Sequence, residues 1–374
     1  MLRERILKKL TSYVTPTSLR CVGHYFSYVH VSLTSSLHSW LSMSHRLFAL
    51  NTLLVILCAQ TPVSGQNATK RAWAARRTPD GRPDLQGYWT NSTETPLERP
   101  KGVGAKEFYT ESELADLIKK DENRVAINIE EGRPTEPGTR EDVHYDYAQF
   151  GLDRGQAKLN WNRRTSLIVG EQGTLPPMLP EATKRNADIA AKNKGHELDG
   201  PEGLSLSSRC IVVPQESVPM LPGGYNNNLR IVQAAGVVTI LNEMNHSVRI
   251  VPIDGRPHLS TNIHQFKGDS IGRWEGNTLV VDTTNFTARN PFRGSGDKLH
   301  VVERFTRVDA DTIVYRFTVE DPETWDQPWT AETAWSKVDG PIFEYACHEA
   351  NYSLSNSLRG ARVAEEEAQK VGQQ

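Results

Sequence analysis

His246 and Glu303 are the residues of this 374-residue chain whose types and positions best suit proton transfer. Alternate side chains of a strand share a face. If Val238 to Ile250 runs extended, Val238, Ile240, Met244, Val248 and Ile250 form the more apolar face and carry Asn242 and His246 inward. From Leu299 to Phe305 the odd positions are the apolar ones, and Glu303 goes with them. A last strand would group Phe343, Tyr345 and Cys347, with Glu349 at its end. His246 is therefore expected to meet Glu303 or Glu349 as a general acid–base pair, with Asn242 and Tyr345 as hydrogen-bonding groups. The same groups would equally serve as a satisfied structural network, because a buried carboxylate needs partners whatever its purpose.

Other motifs are less specific. Glu243-Met244-Asn245-His246 has the Glu-x-x-His spacing that converges on a metal only on a helix, and its flanks read as strand. His258, His264, His300 and His348 lack chelating spacing, so no metal or cofactor is expected. The loop Leu221-Pro222-Gly223-Gly224-Tyr225-Asn226-Asn227-Asn228 reads as a ligand-contacting rim through Tyr225 and Asn227, or as a turn in which Asn and Gly accept positive φ. Trp325, Trp329 and Trp335 form an aromatic cluster able to stack on a sugar or to pack a core. Nothing in the chain matches a phosphate-binding loop.

The elements that must position these groups are mostly strands. β-rich runs recur at 229–234, 237–244, 248–253, 278–284, 299–308, 312–319, 331–337 and 342–348, separated by Gly, Asn and Asp turns. About eight short antiparallel strands predict a mainly β fold, a lipocalin-like barrel or a sandwich, with closure favoured because it removes exposed edges. Residues 66–208 read as an irregular arm wrapping that core. It carries a helix over about 111–126 opened by a Thr110/Glu113 capping box, and a second from Pro180 to about Lys194. Leu85 to Thr90 reads as a short strand. Residues 209–352 form the β core and 353–374 a polar tail.

The apolar run Leu47–Ala59 follows His45-Arg46 and precedes Val63-Ser64-Gly65, the order of a secretory leader over 43–65. Residues 1–42 would be an upstream extension without a folding role. The run is too short to span a bilayer, so no stable membrane insertion is expected after cleavage, and the location is secreted or periplasmic. Export leaves Cys210 and Cys347, a natural disulfide pair in an oxidising compartment. The competing reading makes Cys347-His348-Glu349 part of a metal or nucleophile site. Net charge is −2 with signs interleaved, which excludes a basic nucleic-acid footprint.

The segments TPDGRPDLQGYWTN, LPGGYNNN, LNEMNHSVRIVPIDGRPH, GRWEGNTLVVDTTNF, LHVVERFTRVDADTIVYRFTVEDPETW and EYACHEANY resemble a group of uncharacterised secreted proteins of environmental bacteria. The resemblance spans about residues 78–362 and implies export, with no activity attached. The expected function is binding of a small, partly apolar molecule inside the barrel. The alternatives are a cofactor-free isomerase, lyase or hydrolase using an interior His–carboxylate pair, and a carbohydrate-interacting surface protein using Trp325 and Trp329.

Overall fold

A computed structural model of the chain describes residues 73–129 and 163–372; the leader and the upstream extension expected from the sequence lie outside them. The described chain is mainly β. Strands β1 (Gly87–Thr90), β2 (Asn228–Ala234), β3 (Val237–Asn242), β4 (Val248–Pro252), β5 (Asp269–Glu275), β6 (Thr278–Thr284), β7 (His300–Arg307), β8 (Thr312–Glu320) and β9 (Trp329–Val338) form one antiparallel sheet. Its order is β4-β3-β2-β1-β9-β8-β7-β6-β5. The α-helices are α1 (Glu111–Ile129), α2 (Pro180–Asn193), α3 (Cys347–Ala350) and α4 (Tyr352–Gly372).

Period-two burial explains the core. On β7 Val301, Glu303 and Phe305 point inward, and on β8 Ile313, Tyr315, Phe317 and Val319 do the same. Phe305, Tyr315 and Trp335 pack ring to ring with centroids 4.7 to 5.4 Å apart. Burying each large apolar side chain of this kind contributes about 1.5–3 kcal/mol, so this face is the chief source of cohesion.

The expected closed barrel is not formed. β4 and β5 end the ladder and share no backbone pairing, so side chains alone span the seam between them. Gly272 of β5 makes this possible, because a Cβ there would lie 2.7 Å from Ile253 and 2.9 Å from Val251. The inner face is filled by buried side chains. The reading of a small apolar molecule bound inside a barrel is therefore overturned: the barrel is absent and the core face is occupied.

Two strand expectations also fail. The run from Val238 to Ile250 is broken at 243–247 by a turn in which Asn245 and His246 adopt φ of 54° and 49°. Asn242 N–H donates to the Ser247 carbonyl across it (2.8 Å). The turn reverses parity: Glu243 is buried and His246 is exposed. Residues 342–348 form no strand, and 347–350 are α3. Phe343 N–H donates instead to the Glu243 carboxylate (3.2 Å), and Pro341 before it has no N–H to donate to a ladder.

Both predicted helices exist. Thr110 Oγ1 accepts from Glu113 N–H (3.2 Å) while Glu113 accepts from Thr110 N–H (2.8 Å), the reciprocal cap that starts α1. α2 begins at Pro180 and ends before Gly195, which takes φ of 81°. Residues 353–372, read as a polar tail, are helical and belong to α4. No helix among the described residues is long and apolar enough to cross a membrane.

Candidate functional site

Two polar assemblies sit back to back on β5, β6 and β7. The inner one is built on Glu303, which parity places correctly inside. Its Oε1 accepts from Arg249 Nη1 (2.9 Å) and from the Tyr315 hydroxyl (2.7 Å), and Oε2 accepts from Arg249 Nη2. The Arg249 guanidinium also donates to Ser270 Oγ and Thr283 Oγ1 at 2.9 to 3.1 Å. Burial opposes the Arg249 charge, but the adjacent Glu303 carboxylate overcomes it and raises the guanidinium above its ordinary pKa. Burial and the same carboxylate push the Tyr315 phenol well above 10. With both charges enclosed and their hydrogen bonds made, this assembly is a structural tie.

The outer assembly lies on the opposite face. Asp282 of β6 stands opposite Ile271 of β5 and Val302 of β7. Asp269 and His300 are each two residues from those positions, so both are diagonal neighbours of Asp282 on one face. His300 in turn stands directly opposite Glu320 of β8. His258 arrives from the β4–β5 connection and inserts between Asp269 and Asp282.

The result is an unbroken chain. His258 Nδ1 lies 2.8 Å from Asp269 Oδ2 and its Nε2 3.1 Å from Asp282 Oδ1. His300 Nε2 lies 3.2 Å from both Asp282 oxygens and its Nδ1 3.2 Å from Glu320 Oε2. Backbone bonds hold the His258 segment in place: Leu259 N–H donates to Asp269 Oδ2 (2.9 Å), and Asn285 Nδ2 donates to the Leu259 and Ser260 carbonyls.

Every imidazole nitrogen of the chain faces a carboxylate oxygen. An imidazole donates from both nitrogens only as imidazolium, so the two carboxylates facing His300 favour its charged form. The hydrogen bond to Asp282 raises the pKa of His300, with half-burial opposing it. Reciprocally, the His300 bond holds the Asp282 carboxyl below its ordinary range against burial. All five groups are partly exposed, Glu320 most at 45%. Among the described residues no group of three or more His, Cys, Asp or Glu has the geometry to hold a metal ion.

The residues expected to act fall elsewhere. His246 is exposed and does not reach Glu303, whose oxygens Arg249 and Tyr315 occupy. Glu349 is exposed on α3. Asn242 is buried with its Nδ2 unpartnered. Asn227 closes its loop on Gly223 by bonds of 2.7 and 2.9 Å. The Tyr225 and Tyr345 hydroxyls do come together, at 3.4 Å. Trp325 and Trp329 are buried edge to face, which removes the stacking surface required of a carbohydrate binder. Cys210 and Cys347 are disulfide-bonded, so Cys347 is neither ligand nor nucleophile.

Chelating spacing does not reveal the relay on the outer face, because His258 and His300 are 42 positions apart in the sequence. The pattern that reveals it is parity: Asp282, His300 and Glu320 all alternate with the inward residues Val281, Val301 and Val319. No protein-family model matches the chain, and no curated protein is significantly similar to it.

Proposed function

We propose that the protein is an exported enzyme that catalyses a proton-transfer reaction of the isomerase, lyase or hydrolase type through the Asp269–His258–Asp282–His300–Glu320 chain. The observation that carries this reading is the Asp282 carboxylate shared by two imidazoles. His300 is the general acid. Its Nδ1 proton points at Glu320, the most exposed member, and a substrate oxygen or carbon that takes Glu320's place receives it. Asp282 keeps the ring oriented and balances its charge. The Nδ1 proton returns from solvent at the exposed Glu320 end, while His258, bonded to the same carboxylate, fixes Asp282 in place and Asp269 orients His258. Export is supported by the leader-like segment and by the Cys210–Cys347 disulfide, a bond that persists in oxidising compartments.

The test uses the full chain on p-nitrophenyl esters and aryl glycosides, and on simple ketones in D2O with exchange at the α-carbon followed by NMR. The wild type is expected to turn over at least one probe, and H300Q and D282N to lose about 10²–10⁴-fold while retaining their fold. A wild type inert on all three probe classes, or an H300Q as active as wild type, would overturn the reading.

A further inference from the structure

The strands that carry the exposed end of the relay run straight into the wall of a groove. His300 follows Lys298 by two residues and Glu320 immediately precedes Asp321. Lys298 and Asp321 both line a concavity of about 1310 Å³ between α2, the segment before Pro214 and the β6–β7 connection. We infer that this groove binds an oxyanion, the carboxylate or phosphate group of a small molecule, through Arg209, Arg289 and Arg293. That the bound molecule is the substrate rests on the catalytic reading above; the binding itself does not.

The charge inventory of the wall separates occupied groups from available ones. Arg185 donates to the Glu323 and Gly294 carbonyls and to Thr324 Oγ1 at 3.0 to 3.3 Å. Asp321 is buried and accepts from Gly296 N–H, Glu323 N–H and the Thr324 hydroxyl. Lys298 and Asp297 face each other at 3.7 Å. Arg209 is half-buried, Arg289 lies over the Phe266 ring, and Arg293 is exposed. None of these three has a carboxylate partner among the described residues. The acidic groups left to oppose them are Glu202 and Glu323, both exposed.

Arg209 is the least exposed of the three and has no carboxylate partner among the described residues, which makes it the centre of the site. Its planar fork matches carboxylate and phosphate geometry, and Arg289 and Arg293 of the same wall add positive charge that favours oxyanions over neutral polar groups. The wall is fixed before any ligand arrives. Cys210, next to Arg209, is tied to Cys347, and a Cβ on Gly294, next to Arg293, would lie 2.4 Å from Asn186. A preset wall lowers the ordering cost of binding.

The experiment is calorimetric titration of the full, disulfide-intact chain with citrate and with inorganic pyrophosphate at low salt, with spermidine as the cationic control. At least one anion is expected to bind and spermidine not to bind. R209Q/R293Q is expected to weaken that anion about tenfold or more, E202Q/E323Q to tighten it, and H300Q to leave it unchanged. Citrate alone, pyrophosphate alone or both identifies carboxylate, phosphate or general oxyanion recognition. Two neutralising pairs of opposite sign keep the test valid if one fails to fold. Absence of anion binding, equal binding of spermidine, or insensitivity to both pairs would overturn the inference. An inactive H300Q that still binds would separate it from the catalytic reading.

Discussion

Arg249 of β4 and Glu303 of β7 meet in a two-pronged ion pair that crosses the one seam of the sheet where no backbone bonds run. Across that seam β5 and β6 lie between them and contribute only the hydroxyls of Ser270 and Thr283. The buried charges thus hold in register two strand edges that hydrogen-bonded pairing leaves separate.

Breaking one half of that pair leaves the other charge enclosed. E303A is expected to destabilise by about 3–5 kcal/mol, and R249M/E303M by much less, because matched apolar replacements of a buried pair are often near neutral. Urea unfolding of the single and double variants measures the difference. Equal losses in both would mean that the ion pair does not organise the seam.

Gly272 tests the same seam by shape. Its absent Cβ makes room for Ile253 and Val251, so G272A is expected to cost about 1–3 kcal/mol through overpacking. Proton exchange in β4 should rise ahead of exchange in β8. Unchanged stability would show that β4 and β5 have slack between them.

The relay makes stability depend on pH with a defined sign. His300 has a raised pKa in the folded state, so its contribution is complete below its ordinary value of 6.5 and fades as pH climbs through the raised value. Asp282 has a lowered pKa, so its contribution is complete above 3.8 and fades as pH falls through the lowered value. Their joint effect is greatest between those two ordinary values. Denaturant midpoints of wild type minus H300Q across pH should peak in that window. A flat difference would show that the ring and the carboxylate do not titrate together.

The disulfide closes a loop of 137 residues. On the chain-entropy model C210S/C347S loses about 4–5 kcal/mol. Asn351 also donates to the Ser208 carbonyl (2.8 Å), so the residues after β9 should become the first site of limited proteolysis once the bond is gone. Cleavage that starts within β9 instead would contradict this.

Parity was enough to place Glu303 inside, because β7 keeps an unbroken alternation from His300 to Arg307. It failed at His246, since a turn with two residues at positive φ has no signature in a run of Glu, Met, Asn and His. β5 escaped notice for a different reason. Its inward residues are Ser270, Gly272 and Trp274, which receive Arg249 and let β4 approach, so the strand lacks the aliphatic face by which strands are recognised. The helices were legible because their caps are local, and the relay was not, because it joins four strands and a connection through diagonal neighbours.

β1 leaves the ribosome well before the other strands, yet it is the central staple of the sheet, pairing with β2 on one side and β9 on the other. The hairpins β2–β4 and β5–β9 can each assemble from neighbouring sequence, but their union must wait for Val338 to be synthesised. Completion of this protein is therefore a late, long-range event that follows two early local ones. A nascent chain halted before Trp329 would hold two unjoined half-sheets with exposed edges, the species on which a chaperone would act.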